Sequence, residues 1–296
     1  MGENSSRLGW GLFWFLSSLV VSVGLDVLQK HLGNSLNAFQ ITFWRFLFGT
    51  LVLSPFLIHR WCREGIHLSP YWGIHFFRGL FLFLGMALWC YGLLLVPLST
   101  ATALVYSIPL FTLVLSLPIL KERVDFHRWL ATVVGFIGVF VVLDPTSMEF
   151  NPGSLSLVVS AFLFALSDVF NKKYVAKESM LHMLFYTAFF TMILASVPTF
   201  LHPAPVTGGQ LGWLLAIGCG ANLLLYCLLK ALGHMEASAL APFRYLDFLV
   251  SATFGYLFFH EIPTVRTLEG LLIIVPTSLF LVLKETSTNL SVEKKS

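Results

Sequence analysis

The stretch LSSLVVSVGLDVLQK, residues 16–30, recurs in the second half of the chain as LVVSAFLFALSDVFNKK, residues 157–173. A second stretch, STATALVYSIPLFTLVLSLPILKE (99–122), recurs as SALAPFRYLDFLVSATFGYLFFHE (238–261). The alignment pairs Asp26 with Asp168, Gln29 with Asn171 and Lys30 with Lys172. A solenoid would show shorter and more numerous repeats, whereas two copies of one apolar unit are typical of transporters that bind substrate where the copies meet.

The composition excludes a soluble globular protein. Of the 296 residues, 57% are hydrophobic and only 11% are charged, and the mean hydropathy is +0.82. Soluble domains carry about 25% charged residues, so the sequence predicts an integral membrane protein in contact with lipids. The net charge of +3 is modest, and we expect no nucleic-acid partner. The four cysteines lack metal-ligand spacing, which favours a role in packing.

Ten apolar segments are long enough to cross a bilayer, which requires roughly 20 residues per helix. They lie at residues 9–29, 38–58, 72–95, 98–120, 127–144, 153–175, 179–201, 211–232, 237–259 and 266–284. The connections are short, so no soluble domain is inserted. We expect an all-α polytopic membrane protein with one five-helix repeat at 1–146, a second at 147–285 and a cytoplasmic tail at 286–296.

The distribution of Lys and Arg predicts the orientation in the membrane. With the N-terminus in the cytoplasm, thirteen of the 18 basic residues flank the inner ends of the spans, and only Lys30 and Arg266 flank the outer ends. Both termini are therefore predicted to be cytoplasmic. Since each repeat has an odd number of helices, the second copy enters from the opposite side, and the duplication is predicted to be an inverted repeat.

Arg244 and Asp247 form the strongest candidate pair for a substrate site. An ionisable side chain deep in a bilayer costs about 2.5–3.5 kcal/mol, so such a residue faces protein or a water-filled cavity. The two residues are three positions apart on a predicted helix and follow Pro242, which frees a backbone carbonyl. The alternative interpretation is an internal salt bridge that neutralises both charges. Either arrangement faces the interior of the bundle, where a central cavity is expected.

Four other charged residues within predicted spans are candidates. Asp26 is near the outer end of the first helix and Asp168 near the inner end of the sixth, with Asn171 on the same helical face as Asp168. A structural lock at a helix end and a substrate contact both account for these carboxylates. Arg45 is predicted to lie about 10 Å below the outer surface. Arg78, about 9 Å from the cytoplasm, is interpreted as a snorkelling side chain whose guanidinium reaches the headgroups.

Aromatic side chains accompany these charges along the sequence. Four of them are candidates for a ring-stacking wall, namely Phe43, Trp89, Tyr106 and Tyr245. An arginine binds a carboxylate with two parallel hydrogen bonds, an aspartate attracts an ammonium group, and aromatic faces hold rings or cations. The combination favours a zwitterionic substrate that carries a planar ring.

The sequence lacks recognised catalytic motifs. HExxH, GxSxG, a P-loop and a GxGxxG loop are all missing. We therefore expect neither enzymatic activity nor a cofactor, and transport driven by an ion, the membrane potential or exchange. A membrane enzyme or a structural scaffold is the disfavoured alternative. Small residues such as Ala161 and Ala165 suit packing within one bundle and packing in a homo-oligomer, and both alternatives stay open.

Two resemblances extend these expectations. Ten helices in two halves, each half ending in a bulky apolar run and Glu (LPILKE, LFFHE), resemble the drug/metabolite transporter superfamily, EamA type. This resemblance covers nearly the whole chain. A narrower resemblance, to the S-adenosylmethionine uptake transporters of obligate intracellular bacteria, rests on a set of shorter segments. The segments that carry this similarity are FWRFLFG, HFFRGLFLFLGM, TATALVYSIPLFTLVL, RWLATVVGFIGV, DVFNKKYVAKESMLHMLFY, APFRYLDFLVSA and LLIIVPTSLF.

The narrower resemblance implies import of S-adenosylmethionine across the bacterial inner membrane in exchange for S-adenosylhomocysteine, by alternating access. Arg244 or Arg45 would then hold the carboxylate. Asp247 or Asp168 would meet the amino group or the sulfonium, and Asn171 would reach the ribose or adenine. The alternative within the superfamily is export of amino acids or small organic cations, and a small amino acid would not need a large aromatic pocket.

Overall fold

The computed structural model describes residues 2–65, 69–121, 126–144, 151–174, 177–234, 243 and 246–293, and these ranges contain helices and no strand. The helices are α1 (Gly2–Gly33), α2 (Ala38–Glu64), α3 (Trp72–Leu95), α4 (Leu98–Val105), α5 (Ile108–Leu120), α6 (Phe126–Leu143), α7 (Pro152–Tyr174), α8 (Met180–Leu201), α9 (Gly208–His234), α10 (Leu246–Phe259) and α11 (Val265–Glu293). For the described residues, the all-helical fold predicted from the sequence is confirmed.

Helices occupy all ten predicted spans. Seven stretches of the described chain are long and apolar enough to cross a membrane, namely Trp10–Gly33, Ala38–Glu64, Trp72–Leu95, Leu98–Leu120, Pro152–Asn171, Leu181–Leu201 and Gly208–Leu228. Two shorter apolar stretches, Trp129–Leu143 and Leu246–Phe259, and the long α11 complete the set. The first part of the predicted span 237–259 lies outside the described residues. Large apolar side chains such as Phe140, Phe200 and Leu272 are exposed on the outside of the bundle, as expected for a surface in contact with lipid.

A proline divides the fourth span into α4 and α5. Pro109 lacks the N–H that would donate to the carbonyl of Val105. At the break, the N–H of Ser107 donates to the carbonyl of Leu104 at 3.0 Å, and its Oγ donates to the same carbonyl at 2.6 Å. The break leaves Ile108, the first residue of α5, at the edge of a cavity described below.

Helices from the two halves of the chain pack against each other in matched pairs. α1 packs on α9 and α3 on α7, while α2 packs on α8 and α6 on α11. Close backbone contacts accompany this packing at two glycines: a Cβ at Gly79 of α3 would clash with the Cβ of Phe190 on α8, and a Cβ at Gly218 of α9 would clash with the Cβ of Phe48 on α2. The two halves therefore interlock rather than forming separate bundles.

Hydrogen bonds between helix termini define the two ends of the bundle. At one end, termed the Lys30 end, Asn37 Nδ2 donates to the carbonyl of His202 at 3.2 Å and Gln210 Nε2 donates to Ser35 Oγ at 2.8 Å. These bonds bring together the ends of α1 and α8 and the starts of α2 and α9. At the opposite end, termed the Glu178 end, Ser69 Oγ donates to the carboxylate of Glu178 and links the start of α3 to the turn between α7 and α8.

Candidate functional site

A cavity of about 350 Å³ lies between the two halves of the chain and is lined by α2, α3, α5, α7, α8 and α9. Its polar lining includes Arg45, Arg78, Asp168, Asn171, Thr187 and Asn222. The volume falls within the range of about 300–1,000 Å³ that is common for small-molecule sites. Apolar side chains such as Phe46, Leu82 and Phe164 form much of the remaining wall. Few polar groups on an apolar wall are typical of a site that orients one small ligand.

The cavity reaches from the middle of the bundle toward the Glu178 end. Arg78 lies six residues from the start of α3 at that end, and Asn171 lies three residues before the end of α7. Arg45 is seven residues, about 10 Å, from the start of α2 at the Lys30 end, and it forms the far wall. Asp168 is exposed, which shows that solvent reaches this part of the cavity.

A hydrogen-bond network holds Arg45 in place at the far wall of the cavity. The Nη1 of Arg45 donates to Gln29 Oε1 at 3.0 Å, and Gln29 Nε2 donates to Asp26 Oδ1 at 3.1 Å. The indole Nε1 of Trp89 also donates to Asp26 Oδ1, at 3.0 Å. Gln29 therefore links the negative charge of Asp26 to Arg45. The guanidinium of Arg45 has five N–H donors, and part of its surface lines the cavity.

Arg78 lines the cavity on the side of the Glu178 end and is only 3% exposed. Its Nε donates to Asn171 Oδ1 at 2.9 Å, and its Nη1 lies 3.1 Å from His75 Nδ1. The interpretation of Arg78 as a side chain that snorkels to the headgroups is therefore wrong. Its face of α3 packs on α7 and α8, so the guanidinium is directed into the protein rather than toward the membrane surface.

Behind Arg78, a cluster of side chains connects the cavity to the Glu178 end. His75 Nε2 lies 2.9 Å from Ser69 Oγ, and Ser69 Oγ donates to the carboxylate of Glu178. His182 Nδ1 lies 3.0 Å from the other oxygen of Glu178. Burial opposes the charge on Glu178, but the hydrogen bonds from Ser69 and His182 hold the pKa of this carboxyl below its ordinary value.

The Lys30 end is closed by an ion pair. Lys30 Nζ lies 2.5 Å from Glu261 Oε1 and donates to the carbonyl of Val96 at 2.6 Å, while Glu261 Oε2 accepts from the N–H of Leu98 at 2.9 Å. The side chains of Lys30 and Glu261 are 8% and 21% exposed. The pair ties the end of α1 to the connection between α3 and α4 and to the segment that follows α10.

The cavity brings together three of the side chains predicted from the sequence, Arg45, Asp168 and Asn171. Arg244 and Tyr245 lie outside the described residues. Asp247 is half-buried in the first turn of α10.

The other predicted aromatic residues contact protein away from the cavity lining. Trp89 is buried with its indole on Asp26. The hydroxyl of Tyr106 accepts from the N–H of Phe248 at 3.0 Å, and the ring of Phe43 packs edge-on against Trp44 and Phe200. In this structure the three rings therefore pack against helices and do not line the cavity.

Several polar lining residues were missed by the sequence reasoning, Asn222 above all. Its side chain lies in the apolar run of α9 and donates from Nδ2 to the carbonyl of Gly218 at 3.2 Å. A neutral amide costs less in an apolar span than an ionised group does, so the sequence alone does not distinguish it from a side chain that only packs. Among the described residues, no group of three or more His, Cys, Asp or Glu side chains is arranged to hold a metal ion.

Comparisons with known proteins agree with the membrane fold. The sequence matches the EamA-like transporter family over residues 9–144 and again over 151–283. It is 42% identical over 275 residues to the S-adenosylmethionine uptake transporter of Rickettsia felis, covering 93% of each chain. It is 30% identical to the riboflavin transporter of Vibrio cholerae, covering 93% of this chain and 94% of that one. A solved crystal structure, 18% identical, superposes with a TM-score of 0.60 over 95% of this chain and 98% of its own. The chain therefore belongs to the EamA-like transporter family, as a multi-pass transporter of the bacterial inner membrane rather than an enzyme.

Proposed function

We propose that this protein imports S-adenosylmethionine across the inner membrane, in exchange for S-adenosylhomocysteine, by alternating access. The observation that carries the proposal is the 42% identity to the Rickettsia felis S-adenosylmethionine uptake transporter over 93% of both chains. The identity to the riboflavin transporter of Vibrio cholerae is lower, at 30%. The exchange and the inward direction are parts of the proposal that need their own tests.

The chemistry of the cavity supports this substrate. S-adenosylmethionine has a carboxylate, an ammonium group, a sulfonium, a ribose and an adenine, with a net charge of about +1 at neutral pH. Arg45 is placed to bind the carboxylate with a charge-assisted hydrogen bond, and Asp168 to attract the ammonium or the sulfonium. Asn171 is within the same cavity for the ribose or adenine, and Phe46 and Phe164 offer aromatic faces. Direct contacts to substrate from Arg244, Asp247, Tyr245, Trp89, Tyr106 and Phe43 stay predictions.

We propose an orientation in which the Glu178 end faces the cytoplasm and the Lys30 end faces the periplasm. The excess of Lys and Arg on the side of the N-terminus supports it. In this orientation the cavity is open toward the cytoplasm, and the ion pair between Lys30 and Glu261 closes the periplasmic side. The structure then corresponds to an inward-facing state, the state that releases an imported substrate.

The packing of the helices supports an inverted repeat. If α1 corresponds to α7 and α3 to α9, the contact between α1 and α9 has its counterpart in the contact between α7 and α3, and both are observed. A molecule with this relationship reaches its second conformation when the two halves exchange their arrangements. The repeat thus supplies a structural basis for alternating access.

Exchange of a substrate with charge near +1 for a nearly neutral product moves about one charge per cycle. An inside-negative potential contributes about 2.3 kcal/mol per charge per 100 mV to inward movement. Under the proposal, dissipating the potential in proteoliposomes slows net uptake. A rate that is indifferent to the potential would exclude electrogenic exchange.

Equilibrium binding to the purified protein tests the substrate assignment. Labelled S-adenosylmethionine is bound first, and unlabelled S-adenosylhomocysteine, methionine, adenosine and riboflavin are then added as competitors. S-adenosylhomocysteine is expected to compete, while riboflavin and methionine bind at least about tenfold more weakly, equivalent to 1.4 kcal/mol. Stronger competition by riboflavin or by an amino acid would contradict the assignment and favour one of the other transport activities.

A further inference from the structure

We propose that Glu178, Ser69 and His75 position Arg78 and Asn171 so that the side-chain amide of Asn171 donates a hydrogen bond to the adenosine part of the substrate. This inference rests on the proposed function, because it assigns one contact within that substrate. It makes Asn171 a specificity-determining residue and the three residues behind it positioning residues. Each step follows from the donors and acceptors that these side chains possess.

The first step concerns Arg78 and Asn171. A guanidinium has only donors, so the group 2.9 Å from Arg78 Nε must be the oxygen of the Asn171 amide. The amide nitrogen, Nδ2, is then on the opposite side of the side chain. Because Asn171 lines the cavity, the group that it offers to a ligand is an N–H donor. Arg78 therefore determines which end of the amide a substrate meets.

The second step fixes the protonation of His75. Nδ1 of His75 faces Arg78 Nη1 at 3.1 Å, and because Arg78 can only donate, Nδ1 accepts. The imidazole is then the neutral tautomer with its proton on Nε2. That N–H donates to Ser69 Oγ at 2.9 Å. A single tautomer of His75 satisfies both contacts.

The third step connects the chain to Glu178. Ser69 Oγ accepts from His75, and its own hydrogen is directed to the carboxylate of Glu178, which can only accept when ionised. Every bond from Asn171 back to Glu178 thus has one permitted direction. The carboxylate of Glu178 determines the direction at one end of this chain of bonds and the guanidinium of Arg78 determines it at the other, and the single tautomer of His75 satisfies both.

Because these side chains are buried, reversing any of their hydrogen bonds is costly. Ser69 and His75 are each 2% exposed, and Arg78 is 3% exposed. Away from water a mismatched donor or acceptor has no solvent partner, so a reversed bond costs more than at a surface. The orientation of the Asn171 amide is therefore imposed by the protein before any substrate arrives.

Two neighbouring side chains in the cavity, Asn171 and Asp168, therefore suit different parts of the substrate. Asn171 offers a donor, which suits the ring nitrogens of adenine and the ribose oxygens, whereas it would not bind an ammonium group. Asp168, one helical turn earlier on the same face of α7, offers a negative charge to the cationic part of the substrate. A substrate with an acceptor-rich ring system and a separate positive charge satisfies both residues.

The variant Asn171→Asp tests the donor directly. The carboxylate keeps an oxygen for Arg78, and charge strengthens that bond, but it presents an acceptor to the substrate in place of a donor. Uptake by proteoliposomes is expected to show KM for S-adenosylmethionine raised about tenfold or more, with the maximal rate within about twofold and an undiminished melting temperature. A purely structural role for Asn171 would leave KM within twofold, and that result would overturn the proposal.

Asn222→Asp is the matched control for the added negative charge. Asn222 lines the same cavity but donates from its Nδ2 to the carbonyl of Gly218, so its oxygen is the end already available to a ligand. A carboxylate there adds attraction for a cationic substrate without removing a donor from the ligand. We expect KM for this variant to fall, in contrast to Asn171→Asp. A rise of similar size in both variants would attribute the effect to charge alone and contradict the proposal.

The positioning role is tested at His75 by two variants. Gln carries an NH2 group that donates and a carbonyl oxygen that accepts, so it can replace both hydrogen bonds, whereas Leu has no donor or acceptor. His75→Leu is expected to raise KM as Asn171→Asp does, and His75→Gln to restore it to within about threefold of wild type. If His75→Leu is not obtained as folded protein, Ser69→Ala and Ser69→Thr form the equivalent pair. Equal KM values within such a folded pair would overturn the positioning role.

Transport by the wild-type protein distinguishes a failure of the proposed function from a failure of the donor assignment to Asn171. If wild-type protein in the same vesicles fails to transport S-adenosylmethionine, the proposed function is refuted. If wild-type protein is active and Asn171→Asp has an unchanged KM, the function stands and the donor assignment is refuted.

Discussion

Asp26 and Asp168 align with each other in the two halves of the sequence, yet they occupy different environments in the structure. Asp26 accepts hydrogen bonds from Trp89 and Gln29 and lies behind Arg45, at the far wall of the cavity. Asp168 is exposed at the cavity lining near the Glu178 end. In an inverted repeat, equivalent residues exchange environments between the two conformations. The difference between these carboxylates is therefore what the proposed inverted repeat and inward-facing state predict.

The first prediction concerns these two carboxylates. Asp168→Asn removes the negative charge from the open cavity and is expected to raise KM for S-adenosylmethionine presented at the Glu178 end by about tenfold or more, since hydrogen bonds to charged groups contribute about 1.5–3 kcal/mol. Asp26→Asn keeps an oxygen for Trp89 and Gln29 and is expected to change this KM less. Uptake by inside-out vesicles measures both. A larger effect at Asp26 than at Asp168 would contradict the inward-facing assignment.

The second prediction concerns the ion pair at the Lys30 end. Glu261→Gln leaves the Lys30 ammonium nearly buried and without its counter-charge, and breaking a buried pair in this way costs about 3–5 kcal/mol. We expect a clear fall in the melting temperature of the purified protein. The double variant Lys30→Met/Glu261→Gln removes both charges and is expected to recover much of the loss. If the loss of stability in the double variant equals the sum of the losses in Lys30→Met and Glu261→Gln, the two charges do not interact.

The third prediction follows from the lowered pKa of Glu178. A carboxyl whose pKa is lower in the folded state contributes stability above its ordinary value of 4.5, and this contribution is lost as the pH falls through the folded-state pKa. Wild-type protein is therefore expected to melt above Glu178→Gln at neutral pH, with the difference shrinking below pH 4.5. Melting curves across this range measure the difference. A gap that stays constant down to pH 3 would exclude ionisation of Glu178 as its cause.

The fourth prediction tests the close packing of the two halves. Gly79→Ala and Gly218→Ala would each place a Cβ against the Cβ of a phenylalanine on a helix from the other half, and overpacking of this kind costs about 1–3 kcal/mol. Gly24→Ala is the control, because a Cβ at Gly24 meets nothing within 4 Å. Alanine there is expected to stabilise the protein by about 0.5–1 kcal/mol through helix propensity. Equal melting temperatures for all three variants would contradict the packing.

The sequence predicted the helices well because the lengths of apolar runs and the breaks between them depend on local chemistry alone. It also predicted Arg45, Asp168 and Asn171, which line the cavity, since a charge or an amide beside a charge within a span is conspicuous. Counting residues from a helix end, however, gives the depth of a side chain and not the neighbour that it meets. Depth alone therefore predicts Arg78 at the membrane surface, although α7 supplies the amide of Asn171 as its partner.

Aromatic residues were the least predictable part of the site. The chain has 29 Phe, 8 Trp and 8 Tyr, and proximity in sequence to a charge does not separate a ring that stacks on substrate from one that joins helices. Tyr106 hydrogen-bonds to the first turn of α10, a contact between residues far apart in the sequence. Only the packing of the helices distinguishes these roles.

Uptake of labelled S-adenosylmethionine by bacteria that otherwise cannot import it tests the central claim most directly. Cells expressing this chain are compared with cells expressing Asp168→Asn at the same membrane abundance, and both are then chased with unlabelled S-adenosylmethionine or S-adenosylhomocysteine. The account predicts saturable uptake by wild-type cells, weaker uptake by the variant, and release of label by either compound. Absence of uptake by wild-type protein that is correctly inserted in the membrane would contradict the assignment of S-adenosylmethionine as the substrate.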